Sequence, residues 1–198
     1  MPKIVDHARR REEIAALTVR VIRTEGSASA TIRRIATEGG FSIGVLGHYF
    51  KDKDDLVAFA FQWMATQSFK ELDVAVAAAE PGLARLRAAM GFMVPAPGEP
   101  SFIAVWLSLW DGALKNPALA RVHRAYYARW RRHLRRYVRE AVVQGEIAPL
   151  ESSDNAVDLL SAVIDGLWIG VTFEPGRYPL RRRRELVSRA LRDVLGAD

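Results

Sequence analysis

The chain has 198 residues and no cysteine, which excludes disulfide frameworks and thiolate metal sites. Apolar residues make up 49% and charged residues 26%, a balance typical of a globular protein and not of a disordered one. The net charge of +6 favours acidic partners such as nucleic acid, although residues 1–56 hold ten Lys/Arg against eight Asp/Glu and so contribute little of it.

Glycine and hydroxyl residues punctuate the first predicted helices. Apolar residues at helical spacing predict a first helix over about His7–Glu25, and Gly26 ends it. A second, short helix begins after Thr31, whose hydroxyl can cap free backbone N–H groups, and ends at Gly39–Gly40. The pattern therefore predicts two helices that meet at a defined turn.

Two further helices follow in the N-terminal half. Ser42 caps a third helix that runs to about His48. A long fourth helix is predicted from about Asp54 to Ala79, and the acidic residues of its first turn match the positive end of the helix dipole.

The rest of the chain also has helical periodicity. After a break at Pro81–Gly82 a helix runs to about Val94, and residues 95–100 form the clearest loop. The later helices are predicted at Ser101–Leu114, Pro117–Gln144, Ser152–Phe173 and Pro179–Leu195. Because no alternating strand pattern appears, we expect an all-α fold. We divide it into an N-terminal DNA-binding domain over residues 1–53 and a C-terminal ligand-binding and dimerisation domain over residues 54–198.

The segment 31–56 carries the most specific signal. Two short helices joined by a Gly-Gly turn predict a helix-turn-helix, whose second helix enters a major groove and presents short side chains to base edges. Hydroxyl and cationic side chains near its ends are suited to phosphate contacts. The predicted DNA-binding residues are Thr31, Ser42, Ile43, Gly44, Val45, His48, Tyr49, Lys51 and Lys53. The alternative is a three-helix bundle that binds no DNA.

This segment resembles the TetR family of regulators. The similarity lies in Thr31–Ala36, Gly40–Gly44 and His48–Lys53 followed by Leu56. The resemblance implies a helix-turn-helix domain followed by a helical ligand-binding and dimerisation domain. Gly47 stands where family members typically have an aromatic residue, so one phosphate contact of the family lacks its usual side chain here.

Large aromatic residues are concentrated in the C-terminal half. Between the helices of a bundle such residues can line an apolar pocket, and tryptophan faces would attract a cation whose counter-charge is a nearby carboxylate. The predicted pocket residues are Trp106, Trp110, Asp111, Tyr126, Trp130, Asp165, Trp168 and Phe173. The alternative is that these aromatic residues are plain core.

Three segments of this half resemble the choline-responsive BetI-type subgroup of that family: Ala104–Trp110, Asn116–Pro117 and Ile164–Trp168. The resemblance implies a BetI-like effector domain. It leaves the effector open, with choline as one cationic example.

The last two predicted helices each have a broad apolar face. A two-fold partner would bury both faces in a four-helix bundle, and the family resemblance implies the same arrangement. The predicted interface residues are Leu159, Val163, Gly166, Leu167, Gly170, Val187, Ala190, Leu191 and Val194. The alternative is that both faces pack within one chain.

Arginines crowd the helix 117–144, and we interpret them as a solvated face or, alternatively, as an anion site. The run Arg181–Arg184 is expected to be exposed at a helix start. The four histidines are scattered, so we predict no metal and no cofactor.

Together these features predict a ligand-responsive repressor that binds a near-palindromic operator as a homodimer and leaves it when a small molecule binds. The sequence does not decide whether the protein represses or activates transcription. The alternatives are a helical protein-binding adaptor and an all-α enzyme, although no nucleophile or metal constellation supports the enzyme. Neither a signal peptide nor a bilayer-spanning apolar run is visible, so we expect a cytoplasmic protein with no membrane partner.

Overall fold

The computed structural model describes residues 7–96 and 100–196, so residues 97–99 of the predicted loop lie outside it. Within these ranges the chain forms α-helices and no strand, which confirms the predicted all-α fold. The helices are α1 His7–Glu25, α2 Ile32–Gly39, α3 Ile43–Tyr49, α4 Lys53–Ala77, α5 Leu83–Phe92, α6 Pro100–Lys115, α7 Pro117–Val143, α8 Ser153–Phe173 and α9 Leu180–Leu195. Two 3₁₀ turns, Ser27–Ser29 and Pro175–Arg177, were not predicted.

The caps that the sequence predicts are present in the structure. The Thr31 hydroxyl accepts a hydrogen bond from the backbone N–H of Arg34 at 3.1 Å, and the Ser42 hydroxyl accepts one from that of Val45 at 3.2 Å. Gly40 closes α2 in the left-handed conformation, at φ +66°. Thr31 therefore fixes where α2 begins, Gly40 where it ends, and Ser42 where α3 begins.

Contacts divide the chain into two compact units. Unit 1 comprises Met1–Phe69 and Ala104–Ala125, and unit 2 comprises Lys70–Ile103 and Tyr126–Asp198. The borders of these units fall within α4, α6 and α7. The sequence-based boundary after Lys53 separates proposed functions and stays a prediction.

A buried cluster holds α1, α2 and α3 together in unit 1. The apolar stripe of α1 packs against the inner faces of the two short helices and the start of α4. Its fully or nearly fully buried members are Ile14, Val21, Ile35, Ala36, Leu46, Phe50 and Leu56. The side of α3 opposite this core is exposed to solvent.

An ionic clamp joins the end of α1 to α2. Arg34 donates to Glu25 at 2.6 Å and to Glu38 at 2.8 Å. The hydrogen bonds with Glu25 and Glu38 raise the pKa of Arg34, and the bond from Arg34 lowers the pKa of Glu25. The clamp restrains α2, the helix that precedes α3.

Two carboxylates cap α5 in unit 2. Glu146 accepts from the backbone N–H of Leu83 at 2.7 Å, and Glu140 accepts from that of Gly82 at 3.2 Å. Gly82 has φ +93°, and a Cβ there would collide with the Glu146 carboxylate. The end of α7 and the residues after it thus satisfy orphan donors at the start of α5.

Arg183 contradicts the expectation that Arg181–Arg184 is fully exposed. Its side chain is buried, and its guanidinium donates to the carbonyls of Tyr178 at 2.6 Å and Pro95 at 2.5 Å. Arg183 lies one turn before the buried Val187, so the helical register of α9 points it inward while its arginine neighbours remain exposed.

In the described part of the chain α8 alone has the length and apolarity of a membrane-crossing helix. Core helices have the same composition, and α8 packs against α9 with one face buried. Its buried apolar residues are therefore accounted for by packing inside the protein, whereas Leu159, Ile169 and Phe173 remain exposed.

Candidate nucleic-acid interface and effector site

The outer face of α3 is built from small side chains. Leu46 and Phe50 point into the core, with exposed fractions of 0% and 2%. Ile43 and Val45 are 52% and 40% exposed, although both are apolar. The other predicted base-reading residues, Ser42, Gly44 and His48, are also exposed. The helix therefore presents a narrow, uncrowded surface of the kind that fits a major groove.

Two of the predicted DNA-contacting hydroxyls sit at helix starts, Thr31 for a phosphate and Ser42 for a base edge. Thr31 and Ser42 are both exposed, and each oxygen accepts the capping bond described above. Each hydroxyl still has its own O–H, which can donate a hydrogen bond to a phosphate oxygen.

Three rings meet beside α3. The ring centroid of His7 lies 5.3 Å from that of His48 and 5.2 Å from that of Tyr49. His48 and Tyr49 are in edge contact at 5.3 Å. His7 was not among the predicted residues, because nothing in the spacing of the sequence connects the first residue of α1 with the end of α3.

The two predicted lysines differ in their surroundings. Lys51 is exposed, and only its backbone N–H is engaged, donating to Asp55 at 3.1 Å. The Lys53 ammonium donates to the Ala28 carbonyl at 3.3 Å. Lys51 is thus better placed to meet a phosphate, whereas Lys53 also ties α4 to the first 3₁₀ turn.

An arginine that the sequence analysis did not select stacks on the core of unit 1. The Arg11 guanidinium carbon lies 4.2 Å from the ring centroid of Phe59 and 5.0 Å from that of Phe50. This cation–π packing connects α1 to the residues that support α3.

The predicted pocket residues of unit 1 have different environments. Trp106 is fully buried, and Trp110 is half-buried. Asp111 is exposed and pairs with Lys115 one turn later at 2.9 Å. Its charge is therefore already compensated within α6.

Two hydrogen bonds connect α7 and α8 within unit 2. The Tyr127 hydroxyl donates to Asp165 at 2.7 Å, and the Trp130 indole N–H donates to the Ser161 hydroxyl at 3.1 Å. Burial raises the pKa of Asp165, while the bond from Tyr127 opposes that shift. Burial, followed by the Asp165 charge, raises the pKa of Tyr127. Tyr127 was not among the predicted residues. Its role could have been inferred from Asp165, because a carboxylate within an apolar helix needs a hydrogen-bond donor from a neighbouring element.

The remaining aromatic residues of unit 2 separate into two groups. Tyr126 and Trp168 are buried, and the Trp168 indole donates to the Met93 carbonyl at 2.9 Å. Phe173 is 73% exposed, so it lies outside the buried aromatic group with which the sequence placed it. The cavities outlined below are lined by none of these side chains.

The predicted interface residues also separate. Leu159, which is 56% exposed, and Gly166 lie on an outward strip of α8 that ends at Phe173. The half-buried members are Val163, Gly170, Ala190 and Val194. The buried members are Leu167, Val187 and Leu191, which already pack inside unit 2.

The two glycines of α8 have different surroundings. A Cβ at Gly166 would meet nothing within 4 Å, whereas one at Gly170 would lie 2.7 Å from the Tyr178 ring. Gly170 therefore serves packing within the chain, and Gly166 leaves an open surface.

Comparisons with known proteins match both parts of the chain. Residues 14–59 match the family described as bacterial regulatory proteins of the tetR family, and residues 82–196 match the C-terminal domain of BetI-type transcriptional repressors. The HTH-type transcriptional regulator BetI of Stenotrophomonas maltophilia is 31% identical over 192 residues, which cover 94% of this chain and 93% of that protein.

Solved structures share the fold. A TetR transcription regulator from Haloarcula marismortui superposes with a TM-score of 0.85 at 24% identity, covering 95% of this chain and 99% of that one. A transcriptional regulator from Saccharomonospora viridis in complex with choline gives a TM-score of 0.83 at 24% identity, covering 93% and 96%.

Proposed function

Since the chain belongs to the TetR family and carries the C-terminal domain of BetI-type DNA-binding repressors, we propose that it binds a near-palindromic operator as a homodimer and leaves it when a small-molecule cation binds unit 2. Its relatives are named transcriptional regulators, which favours a regulator over an enzyme. We also place the protein in the cytoplasm, where such regulators meet DNA.

The outward face of α3 is the observation that carries the DNA-binding proposal. A helix with apolar Ile43 and Val45 exposed above a fully buried Leu46 leaves a surface that water solvates poorly. A major groove offers thymine methyl groups to such side chains. Lys51, Thr31 and Tyr49 surround this face with groups that suit phosphates.

The test starts by selecting bound duplexes from a random library and then titrating the selected duplex at several salt concentrations. Affinity should fall steeply with salt, because phosphate contacts release counterions. Replacing Lys51→Ala should reduce the logarithmic salt slope by about 1, as expected for one lost phosphate contact. Arg189→Ala is the control, since that residue pairs with Asp193 in unit 2. A salt-independent titration would contradict the proposal.

The outward strip of α8 supports the dimer. Leu159 and Phe173 expose large apolar side chains on one side of the helix, and Gly166 between them leaves room for the close approach of a second helix. Two copies related by a two-fold axis would cover the strip and would hold two α3 helices for two half-sites.

Asp165 supports a cationic effector. In the part of the chain that the structure describes, Asp165 forms no ion pair and only the neutral Tyr127 hydroxyl reaches it. Trp130 lies one turn along α7 from Tyr127, and Trp168 lies one turn along α8 from Asp165. A carboxylate beside aromatic rings is the chemistry that recognises a quaternary ammonium such as choline, the ligand of the S. viridis regulator.

The effector test uses choline and its neutral carbon isostere, 3,3-dimethylbutan-1-ol, in calorimetric titrations. Choline should bind and the alcohol should not, because only choline carries the charge that Asp165 compensates. Replacing Asp165→Asn should abolish choline binding, while Asp111→Asn, whose parent residue pairs with Lys115, should leave it intact. Equal binding of both molecules, or by both variants, would argue against a cation site.

A further inference from the structure

A groove runs along one side of α9 in unit 2. A cavity of about 430 Å³ lies between α5 and α9, and a second of about 530 Å³ adjoins it along α9. The two cavities share Arg184, Ser188 and Arg192. Because these residues are spaced by four, they form one line roughly 12 Å long on the helix surface.

The groove has an apolar floor and a basic rim. Val94, Val187 and Leu191 form the floor and are nearly fully buried. Arg87 from α5 lines the opposite wall. Such a combination suits a molecule with one anionic end and one apolar end.

Two arginines of the rim have no carboxylate partner in the part of the chain that the structure describes. Across residues 7–96 and 100–196, neither Arg184 nor Arg192 forms an ion pair with a carboxylate. The carboxylate that lines the second cavity belongs to Glu185, which pairs with Arg181 at 3.3 Å. Two guanidinium groups are therefore available to a carboxylate or phosphate.

The arginine cluster of α7 differs from this groove both in its lining and in the pairing of its arginines. Its cavity of about 330 Å³ is lined by Arg132, His133, Arg135, Arg136 and Arg139 and has no aliphatic floor. Arg135 bonds to Asp154, and Arg136 pairs with Glu140. That cluster fits a solvated face that braces neighbouring helices.

We propose that the α5–α9 groove binds a single-chain amphiphile with an anionic head, such as a medium-chain fatty acid in its free, monomeric form. Arg184 and Arg192 hold the carboxylate, and the chain lies over the apolar floor. On the helical wheel of α9 this side is opposite the half-buried Leu186, Ala190 and Val194, two of which are predicted interface residues. A second copy that pairs through those residues would leave the groove accessible. It shares no residue with the site proposed for the cation.

Decanoate below its micellar concentration is the probe, titrated calorimetrically into the full chain. Decanol, which has the chain without the charge, and acetate, which has the charge without the chain, are the matched ligands. Decanoate should bind once per chain, with an affinity about tenfold or more above that of decanol and of acetate. Decanol lacks the carboxylate that the arginines bind, and acetate lacks the chain that the apolar floor binds. Acetate binding as tightly as decanoate, or no binding of decanoate, would overturn the proposal.

Variants locate the binding to this groove. Replacing Arg184→Gln together with Arg192→Gln should weaken decanoate binding by about tenfold or more. Gly91→Leu should block the groove and still fold, since Gly91 lines the cavity within α5 and a Cβ there meets open space. Arg189→Gln is the control on another side of α9 and should change nothing.

Two results would refute the assignment even if decanoate binds. Unchanged affinity in the double arginine variant and in Gly91→Leu would place the fatty acid elsewhere. Binding seen only with phosphatidylglycerol vesicles, and not with free decanoate, would identify a membrane-docking surface instead. Choline titrated into Gly91→Leu should bind as to the unmodified chain, which separates this proposal from the effector proposal.

Discussion

The Tyr127 hydroxyl and the Asp165 carboxylate lie 2.7 Å apart and connect α7 to α8. The bond stabilises the ionised carboxylate but does not offset the cost of burying it, since the pKa of Asp165 is raised overall. A charge kept in this setting weakens the fold, and under the proposed function it is the group that binds the cationic effector. The pair is thus the point in unit 2 where stability and ligand recognition are expected to oppose each other.

The pH dependence of stability should expose this cost. A raised folded-state pKa means that unfolding is favoured as pH rises and Asp165 ionises. Asp165→Asn should therefore be more stable than the unmodified chain near pH 7–8, and the difference should vanish as pH falls toward the ordinary value of 3.8. Thermal melts across this range measure the effect, with Asp111→Asn as the control for the loss of an exposed carboxylate. A variant that is less stable at pH 8 would show that the Tyr127 bond dominates.

Neighbouring residues of α3 should separate stability from DNA binding. Leu46→Ala removes a fully buried side chain and should cost about 2–5 kcal/mol of unfolding free energy. Val45→Ala changes an exposed side chain and should stay within about 0.5 kcal/mol, yet weaken operator binding. Urea titrations and duplex titrations measure the two quantities. Full operator affinity in Val45→Ala would mean that this face does not read bases.

Two glycines near α3 should respond oppositely to alanine. Gly47 lies within α3 and a Cβ there meets open space, so Gly47→Ala should stabilise by about 0.5–1 kcal/mol. Gly40 has φ +66°, so Gly40→Ala should destabilise by about 1 kcal/mol. Gly47→Tyr should be tolerated and should strengthen DNA binding if an aromatic residue supplies a phosphate contact there. Denaturation curves and duplex titrations measure these effects, and equal losses for both alanine variants would refute this account of Gly47.

The oligomeric state should depend on the outward strip of α8. Leu159→Lys places a charge on the apolar strip proposed as the dimer contact and should weaken dimerisation by about tenfold or more. Val143→Lys, at a site on α7 that is 80% exposed, should leave the dimer intact. Sedimentation over a concentration series reads out both. An unmodified chain that stays monomeric throughout would remove the basis for a two-fold operator complex.

The cap of α5 should contribute measurably to unit 2. Glu146→Ala leaves the Leu83 N–H without its acceptor and should cost about 1 kcal/mol. Glu146→Gln retains an acceptor oxygen and should cost less. Chemical denaturation compares the two, and identical stabilities would show that water replaces the carboxylate at no cost.

Local signals in the sequence predicted the helices well and the tertiary pairs poorly. Hydroxyl caps and glycines act on the residues beside them, so Thr31, Ser42 and Gly40 located α2 and α3 correctly. The contact of His7 with His48, and that of Tyr127 with Asp165, join residues far apart in the chain, and no local pattern encodes them.

Composition also misled at one place. Arg183 was predicted as exposed because its neighbours are arginines, whereas its four-residue spacing to Val187 and Leu191 was the better signal. The helical register there carried information that residue type did not. Phe173 was grouped with the pocket aromatics because of its residue type; it is exposed at the end of α8, and its role in a pocket stays a prediction.

The contrast between Gly166 and Gly170 has an evolutionary consequence. A mutation at Gly170 displaces the Tyr178 ring, so a single folded copy already suffers from it. A side chain at Gly166 meets no atom of that copy, so under the proposed dimer its size is limited by the second copy. The proposal thus predicts that two glycines one turn apart are constrained differently, one by packing within the chain and the other by packing between chains.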